Sequence, residues 1–324
     1  MKPIDELRRR DQLLRWTEQG RLSAEQLAAA MAPEHPQPAA RHWLAAFDLV
    51  LAFFGCVLLA LGLIFFFAFN WDELHRFAKL GLAAAVLTGF AGAALRLPRQ
   101  SVAAQAVLLG AALTTGGLLA LVGQIYQTGA DIWQLFAAWA VLLLPWALLS
   151  RSTACWVLFW AVANLALVRY FATTSSWLFG GMRLSPTVFL VIAGFNGLWL
   201  LLFERGLRPL PAGRTLPRLA GAGLLAALGL GAAIGWWRSE LVYLLPVLAV
   251  VYLLGIPCYR RWRRDLLLLA LQAYSAIAVL ASGLAWLLRD LDEIGLVWVL
   301  GLFVLLSSAL VSVLLQRWSR EEKA

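Results

Sequence analysis

The chain has 324 residues, of which 62% are apolar and 14% charged, with a mean hydropathy of +0.77. A soluble domain holds about 45–50% apolar and about 25% charged residues, so a water-facing globule, a disordered chain, a collagen-like repeat and a disulfide scaffold are all excluded. The net charge of +9 fits the bias of Lys and Arg toward the cytoplasmic loops of membrane proteins better than a nucleic-acid partner.

Residues 1–42 form a polar segment apart from the rest. Ile4, Leu7, Leu13 and Leu14 suggest one amphipathic face, and Gly20 a stop. Ser23 and Gln26 match a capping box that opens a second short helix. Pro33, Pro36 and Pro38 stiffen the link that follows. The expected unit is a cytoplasmic helical hairpin that could dock a protein partner. Its seven Lys/Arg nearly balance six Asp/Glu, which argues against a basic nucleic-acid face. No cleavable leader with an apolar core is expected at the start.

Ten apolar stretches follow, near 44–69, 78–95, 102–123, 133–149, 153–171, 186–203, 217–236, 241–258, 266–288 and 295–316. Each is about long enough to cross ~30 Å of hydrocarbon as a helix. The predicted fold is all-α: a polytopic bundle of about ten transmembrane helices over 43–318, with a cytoplasmic tail at 319–324. The boundary between the fourth and fifth spans rests on Ser150, Arg151, Ser152 and Thr153 alone. With the N-terminus inside, 21 of the 27 Lys/Arg fall on the inner side. That split predicts an inner-membrane protein of a bacterial cell with both ends in the cytoplasm. Arg214 and Arg260 count here as inner-loop charges, and Lys79 as an outer one. Most of the 16 Trp lie near span ends, where an interfacial belt is expected.

Polar groups at membrane depth are the informative positions, because they are costly there unless paired or wetted. Asn164 and Asn196 sit mid-span, and Gln272 lies in the ninth stretch. They serve either interhelical hydrogen bonds or a ligand. No Asp, Glu, Lys or Arg falls at the centre of a span, which weakens any proton relay.

Three further clusters lie on the outer side. The first is Asn70, Trp71, Asp72, Glu73 and His75. The second runs from Gln124 through Tyr126 to Asp131, preceded by Thr114, Thr115, Gly116 and Gly117. The third is Asp290, Asp292 and Glu293. They either line an outward polar pocket or are loop polarity plus helix caps, such as Asp131 starting the fourth span. The Thr-Thr-Gly-Gly run permits close packing or a local break.

No catalytic signature is present, so a non-enzyme is expected. No metal and no nucleotide cofactor is expected either. Cys56, Cys155 and Cys258 lack metal spacing, as do His35, His42 and His75.

Three segments carry a family resemblance. They are Leu14 to Gln26 (L-R-W-T-E-Q-G-R-L-S-A-E-Q), Phe67 to Leu74 (F-A-F-N-W-D-E-L) and Gly123 to Asp131, the last followed by Trp133, Leu135, Phe136 and Trp139. Together they resemble the bacterial DUF2157 predicted membrane proteins over roughly residues 10–150. The resemblance implies that Asn70, Trp71, Gln124, Tyr126 and Asp131 belong to the family's pattern, and it implies no activity.

Two functions fit this reading. One is binding or transport of a small molecule or lipid through the outward pocket, with ten spans permitting two inverted five-helix halves. The other is a non-transporting scaffold or regulator whose N-terminal hairpin docks a partner. Membrane lipids are partners in either case.

Overall fold

The computed structural model describes residues 13, 16–17, 23, 26–27, 40–69, 75–98, 101–127, 129–174, 185–206, 210–211 and 213–321. Among them are ten α-helices: α1 (Ala40–Phe69), α2 (Arg76–Arg96), α3 (Val102–Tyr126), α4 (Ile132–Ser150), α5 (Thr153–Thr174), α6 (Pro186–Glu204), α7 (Thr215–Gly235), α8 (Leu244–Pro257), α9 (Leu266–Leu287) and α10 (Glu293–Glu321). Nine of these helical stretches are long and apolar enough to cross a membrane, and α1 carries a shorter apolar run at Ala46–Gly62. The ten apolar stretches of the sequence thus correspond to ten helices. α10 continues through Glu321, past the expected start of the tail.

The chain separates into two units, Met1–Ala52 and Phe53–Ala324. In the first, the capping box is formed in both directions. The Ser23 N–H donates to Gln26 Oε1 at 3.0 Å, and the Gln26 N–H donates to Ser23 Oγ at 3.2 Å. The rest of the expected hairpin and its proline link lie outside the described residues, apart from Leu13, Trp16, Thr17 and Leu27.

In the second unit, sequential helices pack as the pairs α2–α3, α4–α5 and α6–α7. The α4–α5 boundary falls where Ser150 to Thr153 placed it: Arg151 takes a left-handed conformation (φ 48°) and turns the chain within two residues. Among the described residues two large apolar cores and two small ones result. One large core is built on Leu143, Trp156, Phe159 and Ala220, the other on Phe189, Leu228, Leu244 and Leu248. Helices α6 and α7 contribute to both, so the two cores share a wall. Small residues make this approach possible: Ala220, Gly221, Gly229, Gly231 and Ala232 of α7 are all buried. α9 and α8 pack on α7, and α10 packs on α9. The spanning window of α10 has no buried residue, so lipid is its natural solvent.

The Thr114–Gly117 run does not break α3. Thr114 and Thr115 donate back to the carbonyls of Gly110 and Ala111, each at 2.8 Å. The Trp139 ring of α4 lies against Gly116 so closely that a Cβ there would collide with it. Its Nε1 donates to the Ala112 carbonyl at 3.0 Å. The glycine therefore serves close packing. Lys79, counted among the outer charges, lies in the first turn of α2 and is buried.

Candidate functional site

The intramembrane polar residues are settled first by their neighbours. Asn164 on α5 and Asn196 on α6 pair across the helices, with Asn196 Nδ2 donating to Asn164 Oδ1 at 2.7 Å. Trp160 Nε1 donates to Asn196 Oδ1 at 2.8 Å, and Asn196 Nδ2 also reaches the Ile192 carbonyl at 2.9 Å. Gly223 of α7 leaves room for this amide, since a Cβ there would strike Asn196. Asn196 is fully buried and its amide bonds are spent within the bundle. For this pair the interhelical hydrogen bond is what the structure shows.

Gln272 is different. It is buried on α9, yet its Oε1 has no hydrogen-bond partner. Gly255 of α8 faces it, and a Cβ added there would lie 2.7 Å from Oε1. The amide borders a cavity of about 510 Å³ bounded by α6, α7, α8 and α9. α6 and α8 both pack on α7 and form the walls; α7 and α9 form the floor. Leu201 and Leu254 on the walls are more than half exposed, so the groove opens sideways, where a membrane helix meets acyl chains. Gly194 and Gly197 keep it wide: no atom lies within 4 Å of a Cβ built on Gly194.

At one end of the same helices lies a charged cluster. Asp265 caps α9 with Oδ1, which accepts the N–H groups of Leu267 and Leu268 at 3.1 and 3.2 Å. Its Oδ2 takes Arg214 Nε at 2.8 Å and Arg218 Nε at 3.0 Å. Arg214 also meets Glu204 at the end of α6 at 2.9 Å, and Arg263 donates to the Glu204 carbonyl at 2.6 Å. Burial pushes the Asp265 carboxyl up, but the bonds from Arg218, Arg214 and the Leu268 N–H outweigh it and hold its pKa below the usual value. Burial likewise opposes the Arg214 charge, and bonds to Glu204 and Asp265 outweigh it. The cluster ties the loop before α7 to the ends of α6 and α9. Sequence reading took Arg214 for a loop charge. Arg214 and Arg218 stand one helical turn apart, but Asp265 lies 51 and 47 residues further on, so no local signal joined them.

The outer candidates are placed as follows. Asn70, Trp71 and Asp72 lie outside the described residues. Gln124 and Tyr126 end α3 and are exposed, as is Asp131. Asp131 forms a capping box with Gln134, whose Oε1 accepts the Asp131 N–H at 3.1 Å. His75 caps α2 by accepting the Phe77 N–H, and Asp292 accepts the Gly295 N–H at 3.0 Å near the start of α10. Capping thus accounts for a polar residue in each of the three outer clusters. Trp43, Trp237 and Trp262 are exposed, whereas the Trp236 ring packs against Gly283 and Trp286. Among the described residues, no group of three or more His, Cys, Asp or Glu gathers as a metal set.

Among the described residues, ten helices, nine of spanning length, with many exposed apolar side chains and the Asn164–Asn196 pair bonded inside, define a polytopic helical membrane protein. The DUF2157 family model, described as a predicted membrane protein, matches residues 14–156, which cover the N-terminal segment through the start of α5. The resemblance seen in the sequence is therefore shown over that part of the chain. The groove and the charged cluster lie C-terminal to it. No curated protein and no solved structure matches the chain.

Proposed function

We propose that this multi-pass membrane protein binds a lipid-like amphiphile in the lateral groove between α6 and α8. The observation that carries the reading is the unpartnered Gln272 Oε1 in an otherwise apolar groove. A buried amide oxygen without a partner costs about 1–3 kcal/mol. A ligand with an apolar body and a hydroxyl or N–H recovers that cost while filling the groove. The volume suits such a molecule, since small-molecule sites run about 300–1,000 Å³. The reading moves the binding site away from the outer polar clusters, whose described members are exposed or engaged in caps. It also places the Arg214–Asp265 end in the cytoplasm of a bacterial inner membrane, on the support of 21 of 27 Lys/Arg falling on that side. The role is binding, not catalysis.

A photoactivatable fatty alcohol, added to the full-length protein in lipid nanodiscs, tests the reading. Cross-links are expected on α6 and α8. Gly194→Phe fills the open space and abolishes them, and Gln272→Leu weakens them. Cross-links that map elsewhere, or that survive Gly194→Phe undiminished, refute the groove. Cysteine labelling of Arg205→Cys and Arg317→Cys from either face of sealed vesicles tests the orientation.

A further inference from the structure

Between α8 and α9 the chain makes an unusual turn. Pro257 ends α8, and residues Cys258–Trp262 form a π-helical turn. π turns are rare and are frequent at functional sites. Here the turn buries Tyr259 and leaves Arg260 and Arg261 exposed. Arg264, two residues past the turn, is held at φ +41°, a left-handed conformation that a side-chain-bearing residue adopts at a cost.

The arginines that follow divide into two sets. Arg263 turns toward Glu204. Arg260, Arg261 and Arg264 line a pocket of about 430 Å³ together with Tyr259, Leu266, Leu269 and Trp318. The Arg260 guanidinium lies 4.8 Å over the Trp318 ring of α10. Among the described residues no carboxylate lines the pocket. Loop arginines that serve orientation alone have no need of a shared concavity. These three surround one, with an indole and two leucines on its apolar side.

We propose that this pocket binds the phosphate of an anionic phospholipid headgroup. Guanidinium forks match phosphate oxygens in charge and geometry. The leucines and Trp318 suit the glycerol and upper acyl region of the same molecule, and Trp262, 84% exposed beside them, sits as an interfacial tryptophan does. Basic pockets between helix ends on the cytoplasmic side are suited to acidic headgroups. The site is separate from the groove: Tyr259 borders both, but the groove's Gln272 and glycines do not enter this pocket.

The test uses full-length protein in nanodiscs of phosphatidylcholine alone or with phosphatidylglycerol, and reads lipid retained by native mass spectrometry together with thermal stabilisation. Wild type is expected to retain phosphatidylglycerol and to gain stability from it. Arg261→Gln with Arg264→Gly lowers the apparent affinity about fivefold for each arginine removed. Glycine at 264 keeps the left-handed backbone, so that variant folds. Removing equal charge at the other helix ends with Arg238→Gln and Arg289→Gln leaves the preference intact. Undiminished phosphatidylglycerol preference in the pocket variant, or equal loss in the control, overturns the proposal. Inorganic phosphate stabilising the protein equally well in phosphatidylcholine nanodiscs overturns the lipid as its source. Gly194→Phe blocks the groove without touching this readout, so the two sites fail or stand separately.

Discussion

Asp265 joins two jobs in one side chain that is 1% exposed, and substitution separates them. Oδ1 caps α9, and Oδ2 holds Arg214 and Arg218. Truncating an N-cap aspartate to alanine costs about 1 kcal/mol. A hydrogen bond to a charged group contributes about 1.5–3 kcal/mol when sheltered. The two arginine side chains are 32% and 41% exposed and can rehydrate, so about 1 kcal/mol each is the appropriate figure. Asp265→Ala is therefore expected to lose about 3 kcal/mol. Asp265→Asn keeps the cap and one neutral acceptor, and is expected to lose about 1–2 kcal/mol. Unfolding by SDS in mixed micelles at neutral pH measures both. Arg214→Gln should cost less in the Asp265→Asn background than in wild type, by about 1 kcal/mol of coupling. If asparagine is as damaging as alanine, the cap contributes nothing. If both variants match wild type, the cluster does not hold the helix ends together.

The same carboxylate sets a pH dependence. Its folded pKa is depressed, so its contribution is complete above the unfolded value of about 4 and is lost as pH falls through the lower folded value. The stability gap between wild type and Asp265→Asn should stay constant from neutral pH to about 5 and narrow below about 4; a gap that closes near neutrality contradicts the assignment. Asn196→Leu leaves Trp160 Nε1 without its acceptor and Asn164 Oδ1 without its donor and crowds Gly223, with an expected loss of about 1–2 kcal/mol, while Asn164 Nδ2 keeps its bond to the Trp160 carbonyl. Asn164→Ala should add little on top of it, and full additivity would show that the two amides act independently. Gly116→Ala forces the Trp139 ring off α3 and breaks its bond to Ala112, costing about 1–3 kcal/mol, visible as a shift in tryptophan emission. Gln272→Leu should raise stability by about 1 kcal/mol in lipid-free detergent while weakening ligand capture; a loss of stability there would show that the amide is already bonded within the protein.

Local signals in the chain carried a long way. Apolar run length sets the number of helices because hydrocarbon thickness demands about 20 residues per crossing. Two caps follow from local residues: Ser23 with Gln26, and Asp131 at the start of α4. The hinge at Arg151 and Ser152 was legible for the same reason, since a polar break between apolar runs forces the chain to turn.

What joins distant segments was not legible. Arg214 meets Asp265 across 51 residues, Asn196 meets Asn164 across 32, and Trp139 reaches Ala112 across 27. The groove beside Gln272 needs four helices at once. Periodicity shows which residues share a helix, and hydropathy shows which helices enter the membrane. Neither indicates which faces meet, because lipid solvates an apolar face as well as a neighbouring helix does. That choice falls to close packing at small residues and to pairs of polar groups, and it exists only once the helices are assembled.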